Sequence, residues 1–216
     1  MAGTLAAQGI EAIWLPDNPA LDPRLAGHAD LSVFISGKHA IVARGIYPHI
    51  VNFLTNRGYS VSTAAEQGAE YPKDAGLCVC STGKYTVYNP KTVDPAAAAI
   101  LTGHPVTVAQ GYAKCAACIV NDDSIITSDA GVSRAAKNAG MDILEITPGY
   151  VALDGFKEGF IGGASFKIDE NTIAFTGTLD KHPDKERIIE FLSERGKRPV
   201  FLTDRPIFDI GGAIPV

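Results

Sequence analysis

No stretch of this 216-residue chain stays apolar for long enough to cross a membrane, and its N-terminus lacks the basic patch and long apolar segment of a secretory signal. Both absences point to a cytoplasmic protein with no membrane partner. Charge of one sign is missing too: 19 Lys and Arg stand against 24 Asp and Glu, for a net charge of −5. That balance offers nothing to a polyanion, so nucleic acid is not an expected partner. Cysteine is scarce. The four occur as "CVC" (Cys78, Cys80) and "CAAC" (Cys115, Cys118), which does not read as an extracellular disulfide framework, and they are read as thiols. No EF-hand loop, zincin helix or P-loop occurs, and "GFIGGA" lacks the spacing and strand-to-helix context of a nucleotide loop. No metal or other cofactor is expected. A Cys₄ zinc site is disfavoured because Cys115 and Cys118, read as strand residues, point to opposite faces.

What the sequence does contain is repetition. A helix end, a glycine stop and a strand recur as "LAAQGIEAIWL", "LTNRGYSVS", "ILTGHPVTVA", "AKNAGMDILEI" and "LSERGKRPVFL", with stops at Gly9, Gly58, Gly103, Gly140 and Gly196. Ahead of four of these lie two short β-like runs joined by a polar turn: "LSVFISGKHAIVARG", "LCVCSTGKYTVYNP", "CIVNDDSIITSD" and "SFKIDENTIAFTG". Each hairpin feeds a helix-period segment, such as "HPDKERIIEFLSERG" with Ile188, Ile189, Phe191 and Leu192 on one face. The unit is strand, strand, helix, strand. A fifth unit is split: residues 5–15 supply a helix end and a strand from Glu11 to Leu15, while "IFDIGGAIPV" supplies a first strand at the other end of the chain. The expected fold is therefore α/β, one domain over residues 1–216, with five ββαβ units in a pseudo-fivefold, propeller-like ring closed by the two terminal segments. A plain α/β sandwich accounts for the elements but not for the split unit.

Such a ring resembles the pentein fold of the guanidine-modifying enzyme superfamily. That group includes arginine and agmatine deiminases, dimethylarginine hydrolases, amidinotransferases and the ribosome-binding translation initiation factor six. "QGYAKCAACIV", "EGFIGGASFKI", "KHPDKERIIEFL" and "DIGGAIPV" are also similar to a bacterial family of unassigned role within this fold. The resemblance implies a small-molecule ligand in a central pore, a carboxylate that clamps a guanidinium, a thiolate that attacks its carbon and a histidine that moves protons. Two marks of the enzymes are absent. Their "GGD" corresponds to "GGA" at Gly162, Gly163 and Ala164, and their terminal cysteine falls near Val216.

Aligning the first strands places Val33, Val79, Val120 and Ile168 at one level, with Ala29, Ala75, Ala116 and Ala164 four residues earlier and Ala213 in the terminal "GGA". "YPKDA" (71–75) and "YAKCA" (112–116) match at Tyr, Lys and Ala. The preceding positions then read His28, Asp74, Cys115, Gly163 and Gly212. A histidine, an aspartate and a cysteine converging on one axis compose a proton carrier, a carboxylate partner and a nucleophile. Lys114 and Lys73 precede two of them and favour an anionic group on the ligand; Lys114 would also lower the pKa of Cys115 if a bend brought it near. Tyr112 and the pore-facing Asp209 complete the expected ligand-binding set. Asp129 reads as a helix N-cap, and His182 with Pro183 and Asp184 as a helix start. The expectation is a cysteine-dependent hydrolase or amidinotransferase-like enzyme acting on a guanidino or amidino compound, with Cys115 as nucleophile, His28 as acid/base and Asp74 as carboxylate. The alternative is a non-catalytic pentein that binds a macromolecule or metabolite.

Overall fold

The computed structural model describes residues 1–216. After a helix α1 (Ala2–Ala7), a one-turn helix α2 (Ala29–Ser32) leads into the first unit, β1 (Val33–Ser36), β2 (His39–Val42), α3 (Pro48–Asn56) and β3 (Ser60–Thr63). The second unit is β4 (Cys80–Ser81), β5 (Tyr85–Tyr88), α4 (Pro95–Ala98) and β6 (His104–Thr107). A further one-turn helix α5 (Ala113–Ala116) opens the third, β7 (Ala117–Ile119), β8 (Ser124–Thr127), α6 (Ala130–Asn138) and β9 (Asp142–Glu145). The fourth is β10 (Ser165–Asp169), β11 (Thr172–Phe175), α7 (Lys185–Glu194) and β12 (Arg198–Phe201).

Each unit is a three-stranded sheet in sequence order, its first pair antiparallel and its second parallel. The antiparallel pair closes over the turns foreseen in the sequence, and the parallel pair needs the crossover that the helix provides. Gly58, Gly103, Gly140 and Gly196, which end the crossovers, have φ of 81°, 77°, 86° and 65°, and Gly9 has 75°. The left-handed backbone lets each helix stop and the chain turn into the next strand. In α7, Ile188 and Leu192 are wholly buried and Phe191 nearly so, each side chain contributing roughly 1.5–3 kcal/mol. The helix begins at Lys185, so His182 and Pro183 lie ahead of it: the His182 ring accepts the Asp184 N–H at 3.1 Å instead of opening the helix.

The three largest hydrophobic cores span neighbouring units, while a smaller one, with Val33, Val42, Ile50 and Leu54, lies within the first. Phe34 and Ile41 pack with Leu77 and Val79, Val87 and Val106 with Ile125 and Val132, and Ile126 and Leu144 with Ile173 and Ile188. Aspartates stitch the same seams. Asp94 caps α4 and accepts the Ala65 N–H at 2.7 Å, Asp129 caps α6 and accepts from Gln110, and Asp184 accepts the Thr147 N–H at 2.7 Å and pairs with Arg187. Each of the three holds the segment after the last strand of the preceding unit.

The split fifth unit is not a sheet. Residues 11–17 make no backbone hydrogen bond, and the C-terminal residues form only isolated bridges, Thr178 with Pro206 and Ala152 with Phe208. A strand needs a partner edge, and the two segments do not pair with each other. Both nevertheless lie between the first and fourth units. Leu5 packs on Ala174 and Leu202, Leu15 and Ile214 pack on the Val33 cluster, and backbone bonds run from Asp30 N–H to Gly211 O and from Gly212 N–H to Gly163 O.

The level of the first strands also differs from the expected alignment. Val42, Tyr88, Thr127 and Phe175 end the four second strands, and Val33 faces Val42 while Val79 precedes the Cys80–Val87 pair. In the other two units the residues facing Thr127 and Phe175 are Ala117 and Ser165, three earlier than Val120 and Ile168. His28 and Asp74 are therefore equivalent to Tyr112 and Phe160, and Asp30 to Lys114. "YPKDA" and "YAKCA" are similar in sequence but three residues out of step in space.

Candidate functional site

The first strands of all four sheets and the C-terminal residues line an open cavity of about 300 Å³. Its lining is largely apolar, with Asp30, Lys114 and Lys167 as charged members. Asp30 sits on α2 and Lys114 on α5, the one-turn helices before β1 and β7. Residues 113–116 form a helical turn where a regular strand was expected. The turn carries Lys114 to the cavity, where its ammonium donates to Gly162 O at 2.9 Å. Burial works against the charge on Lys114, but Asp30 and the nearby sulfurs outweigh it and raise its pKa. Burial likewise pushes the Asp30 carboxyl up to about 6, with Lys114 opposing and Asp209 reinforcing.

The Cys115 thiol donates to Asp30 Oδ2 at 2.9 Å and lies 3.4 Å from Cys78 Sγ. It is 4% exposed, in a cluster with Leu21, Leu25 and Leu31. The Cys78 thiol, burial and the Asp30 charge together hold its pKa well above the usual thiol range. The expected lowering by Lys114 is not realised, because the Cys78 thiol and burial, with the Asp30 charge behind them, favour the neutral thiol.

The three residues expected to act together are not joined by any hydrogen bond. Asp74 accepts from the Tyr112 hydroxyl at 2.6 Å, which gives the buried carboxylate a partner on the half-buried tyrosine; burial raises the pKa of each. Cys115 faces Asp30 instead, and the buried His28 ring has no hydrogen-bond partner within the chain, packed behind Gly211. The register shift is the physical reason: Cys115 lies three residues further along its turn than His28 and Asp74 along theirs. Of the expected ligand-binding residues, only Lys114 lines the cavity. Lys73 is exposed at the surface and Tyr112 is engaged by Asp74. Asp209 accepts the Phe160 and Gly211 N–H groups at 2.9 and 2.8 Å, a backbone anchor into which a Cβ on Gly163 would collide.

Asp30 and Cys78 are the functional candidates that the sequence reading missed. Asp30 stands two residues after His28, and only the true register marks it as the counterpart of Lys114. The ligand atoms of Asp30, Cys78 and Cys115 all lie within 4.8 Å of one another, so these are the residues able to hold a metal. Cys80 and Cys118 lie on strands in other clusters, with thiols pushed by burial up to about 12 and about 11. Cys78 and Cys115 meet at 3.4 Å.

Four ββαβ units with their first strands lining one cavity share the fold of the pentein proteins, without the fifth sheet of the expected ring. Similar solved structures include inosamine-phosphate amidinotransferase StrB1 from Streptomyces griseus, with 12% identity and a TM-score of 0.56 over 98% of this chain and 75% of that one. SxtG, an amidinotransferase of the saxitoxin biosynthetic pathway from Microseira wollei, has 11% identity and a TM-score of 0.56 over 92% and 74%. DDAH from Pseudomonas aeruginosa, a mutant complexed with citrulline, has 16% identity and a TM-score of 0.50 over 83% and 71%. Within this fold the chain belongs to DUF6873, a family of unknown function whose model matches residues 1–214. No curated protein matches it by sequence. No helix is long and apolar enough to cross a membrane.

Proposed function

We propose that the chain binds a small guanidino or amidino compound that also carries an acidic group, within the central cavity. The observation that carries this reading is the placement of Asp30 and Lys114 in the lining of one cavity of about 300 Å³. Asp30 supplies two carboxylate oxygens to a planar cation, and Lys114 with Lys167 supplies charge for the acidic end. The largely apolar remainder suits the methylene chain between them. The pentein neighbours act on guanidino chemistry and lend the reading support.

Titration calorimetry of the full chain with arginine and agmatine tests it, since the two share a guanidinium but only arginine has a carboxylate. Arginine should bind more tightly, Asp30→Asn should weaken both by about ten-fold or more, and Lys114→Met should weaken arginine selectively. Absence of binding by either compound, or binding indifferent to Asp30→Asn, would sink the reading.

One observation favours covalent chemistry as a second reading: Cys115 Sγ is 2.9 Å from the carboxylate that would clamp the ligand. The thiol proton would pass to Asp30 as Sγ bonds to the guanidinium carbon. The departing amine would take that proton, and water would release the thiol and an oxygenated product. Amine release from arginine that disappears in Cys115→Ser would establish it; binding without release leaves the binding module.

A further inference from the structure

We propose that Asp30, Cys78 and Cys115 form a three-ligand site for a thiophilic divalent cation, zinc above all, beside the central cavity that Asp30 lines. Three units converge there: Asp30 comes from α2 before the first sheet, Cys78 from the segment before β4, and Cys115 from α5 before β7. Their ligand atoms lie within 4.8 Å of one another, and all three side chains are buried.

The spacing fits. Zinc bonds of about 2.3 Å to sulfur and 2.1 Å to oxygen at tetrahedral angles set sulfur–sulfur and sulfur–oxygen separations of roughly 3.8 and 3.6 Å. The Cys78–Cys115 and Cys115–Asp30 separations are 3.4 and 2.9 Å, so these two pairs would part by some tenths of an ångström to admit the ion, while Cys78 and Asp30 already lie within 4.8 Å of each other. The backbone that holds them is fixed, with Lys114 N–H on Cys78 O and Asp30 N–H on Gly211 O.

A second observation points the same way. Asp30 Oδ1 is buried with no hydrogen-bond partner, an acceptor left free to take a ligand. Two thiolates and one carboxylate are a donor set for zinc rather than for magnesium or calcium, which take oxygen. Charge balance favours the exchange. In the thiol form the Asp30 carboxylate is matched by the Lys114 ammonium; when Zn²⁺ enters and both thiol protons leave, the net charge of the cluster is unchanged. No uncompensated charge is buried in either state. The metal and a guanidinium would draw on the same carboxylate, so zinc would compete with the ligand proposed above.

The test uses the full-length, reduced, metal-free chain and zinc or cobalt alone. Zinc should bind at one equivalent per chain with release of two protons. Cobalt should give thiolate-to-metal charge-transfer absorption together with tetrahedral ligand-field bands. Cys78→Ser and Cys115→Ser should each weaken binding about a hundred-fold, and Cys80→Ala and Cys118→Ala should leave it unchanged. Zinc-edge X-ray absorption of the unaltered protein should find two sulfurs and lighter scatterers, a readout independent of whether any variant folds. A sulfur-free zinc shell, absence of cobalt–thiolate absorption, or a Cys78–Cys115 disulfide persisting under reductant would overturn the proposal. Because no organic ligand enters these measurements, their failure leaves the reading of the cavity as a guanidino site standing, and the converse holds for the calorimetry.

Discussion

Tyr112 and Asp74 occupy equivalent levels in neighbouring units, and their 2.6 Å hydrogen bond gives a partner to a carboxylate that burial makes costly to leave alone. Asp74 Oδ1 already lacks a partner. Removing the hydroxyl in Tyr112→Phe leaves both carboxylate oxygens unsatisfied, an expected loss of about 1–3 kcal/mol in urea unfolding. Pairing it with Asp74→Ala in a double-mutant cycle should give a coupling of at least about 0.5 kcal/mol. Strict additivity would mean that the bond does not contribute. At this scale the sequence reading recognised residue types but not partners. It singled out Tyr112, Lys114, Asp74 and Cys115, whose partners depend on a shift of three residues that local chemistry does not encode.

Among the secondary elements, the helix stops were the most legible feature, and they also separate two costs. Gly58 has φ of 81° with open space where a Cβ would sit, so Gly58→Ala should cost only the left-handed strain, roughly 1–2 kcal/mol. Gly103 has φ of 77°, and a Cβ there would come within 2.7 Å of Lys84 O, backbone that cannot swing away. Gly103→Ala should therefore destabilise the fold clearly more than Gly58→Ala, read as midpoints of denaturant unfolding at unchanged slope. Equal midpoints would show that the hairpin yields. The helical turns at 29–32 and 113–116 were not legible. Each is a single turn leading directly into a strand, too short for an apolar period to declare itself.

For the molecule as a whole, shared cores and aspartate clamps at unit seams make the units interdependent. Asp184 joins the third and fourth: burial alone would raise its pKa, but the Thr147 N–H and Arg187 hold it down at about 2. A carboxyl depressed in the folded state stabilises fully above its unfolded pKa near 3.9, and the contribution is lost as pH falls through about 2. Asp184→Asn should thus cost on the order of 1–2 kcal/mol at pH 7, and most of that difference should be gone by about pH 2. A constant difference across a pH series of thermal melts would remove the electrostatic account. The four-unit order and the placement of both terminal segments beside one another were readable from the repeat, whereas the fifth sheet was not realised.

The sequence by itself determined the elements: hairpins from polar turns between β-like runs, crossovers from helical periods, stops from glycine, and the unit that these compose. Those signals act between residues close in the chain, so they survive without knowledge of the rest. The tertiary structure decided the phase in which units stack. That phase set Asp30 rather than His28 beside Cys115, brought Cys78 to the same point, and turned Asp209 into a backbone anchor. Side chains around a shared cavity belong to different units, and their meeting depends on turn lengths and intervening helical turns whose effects accumulate along the chain. The final register is the one that buries the cores between units.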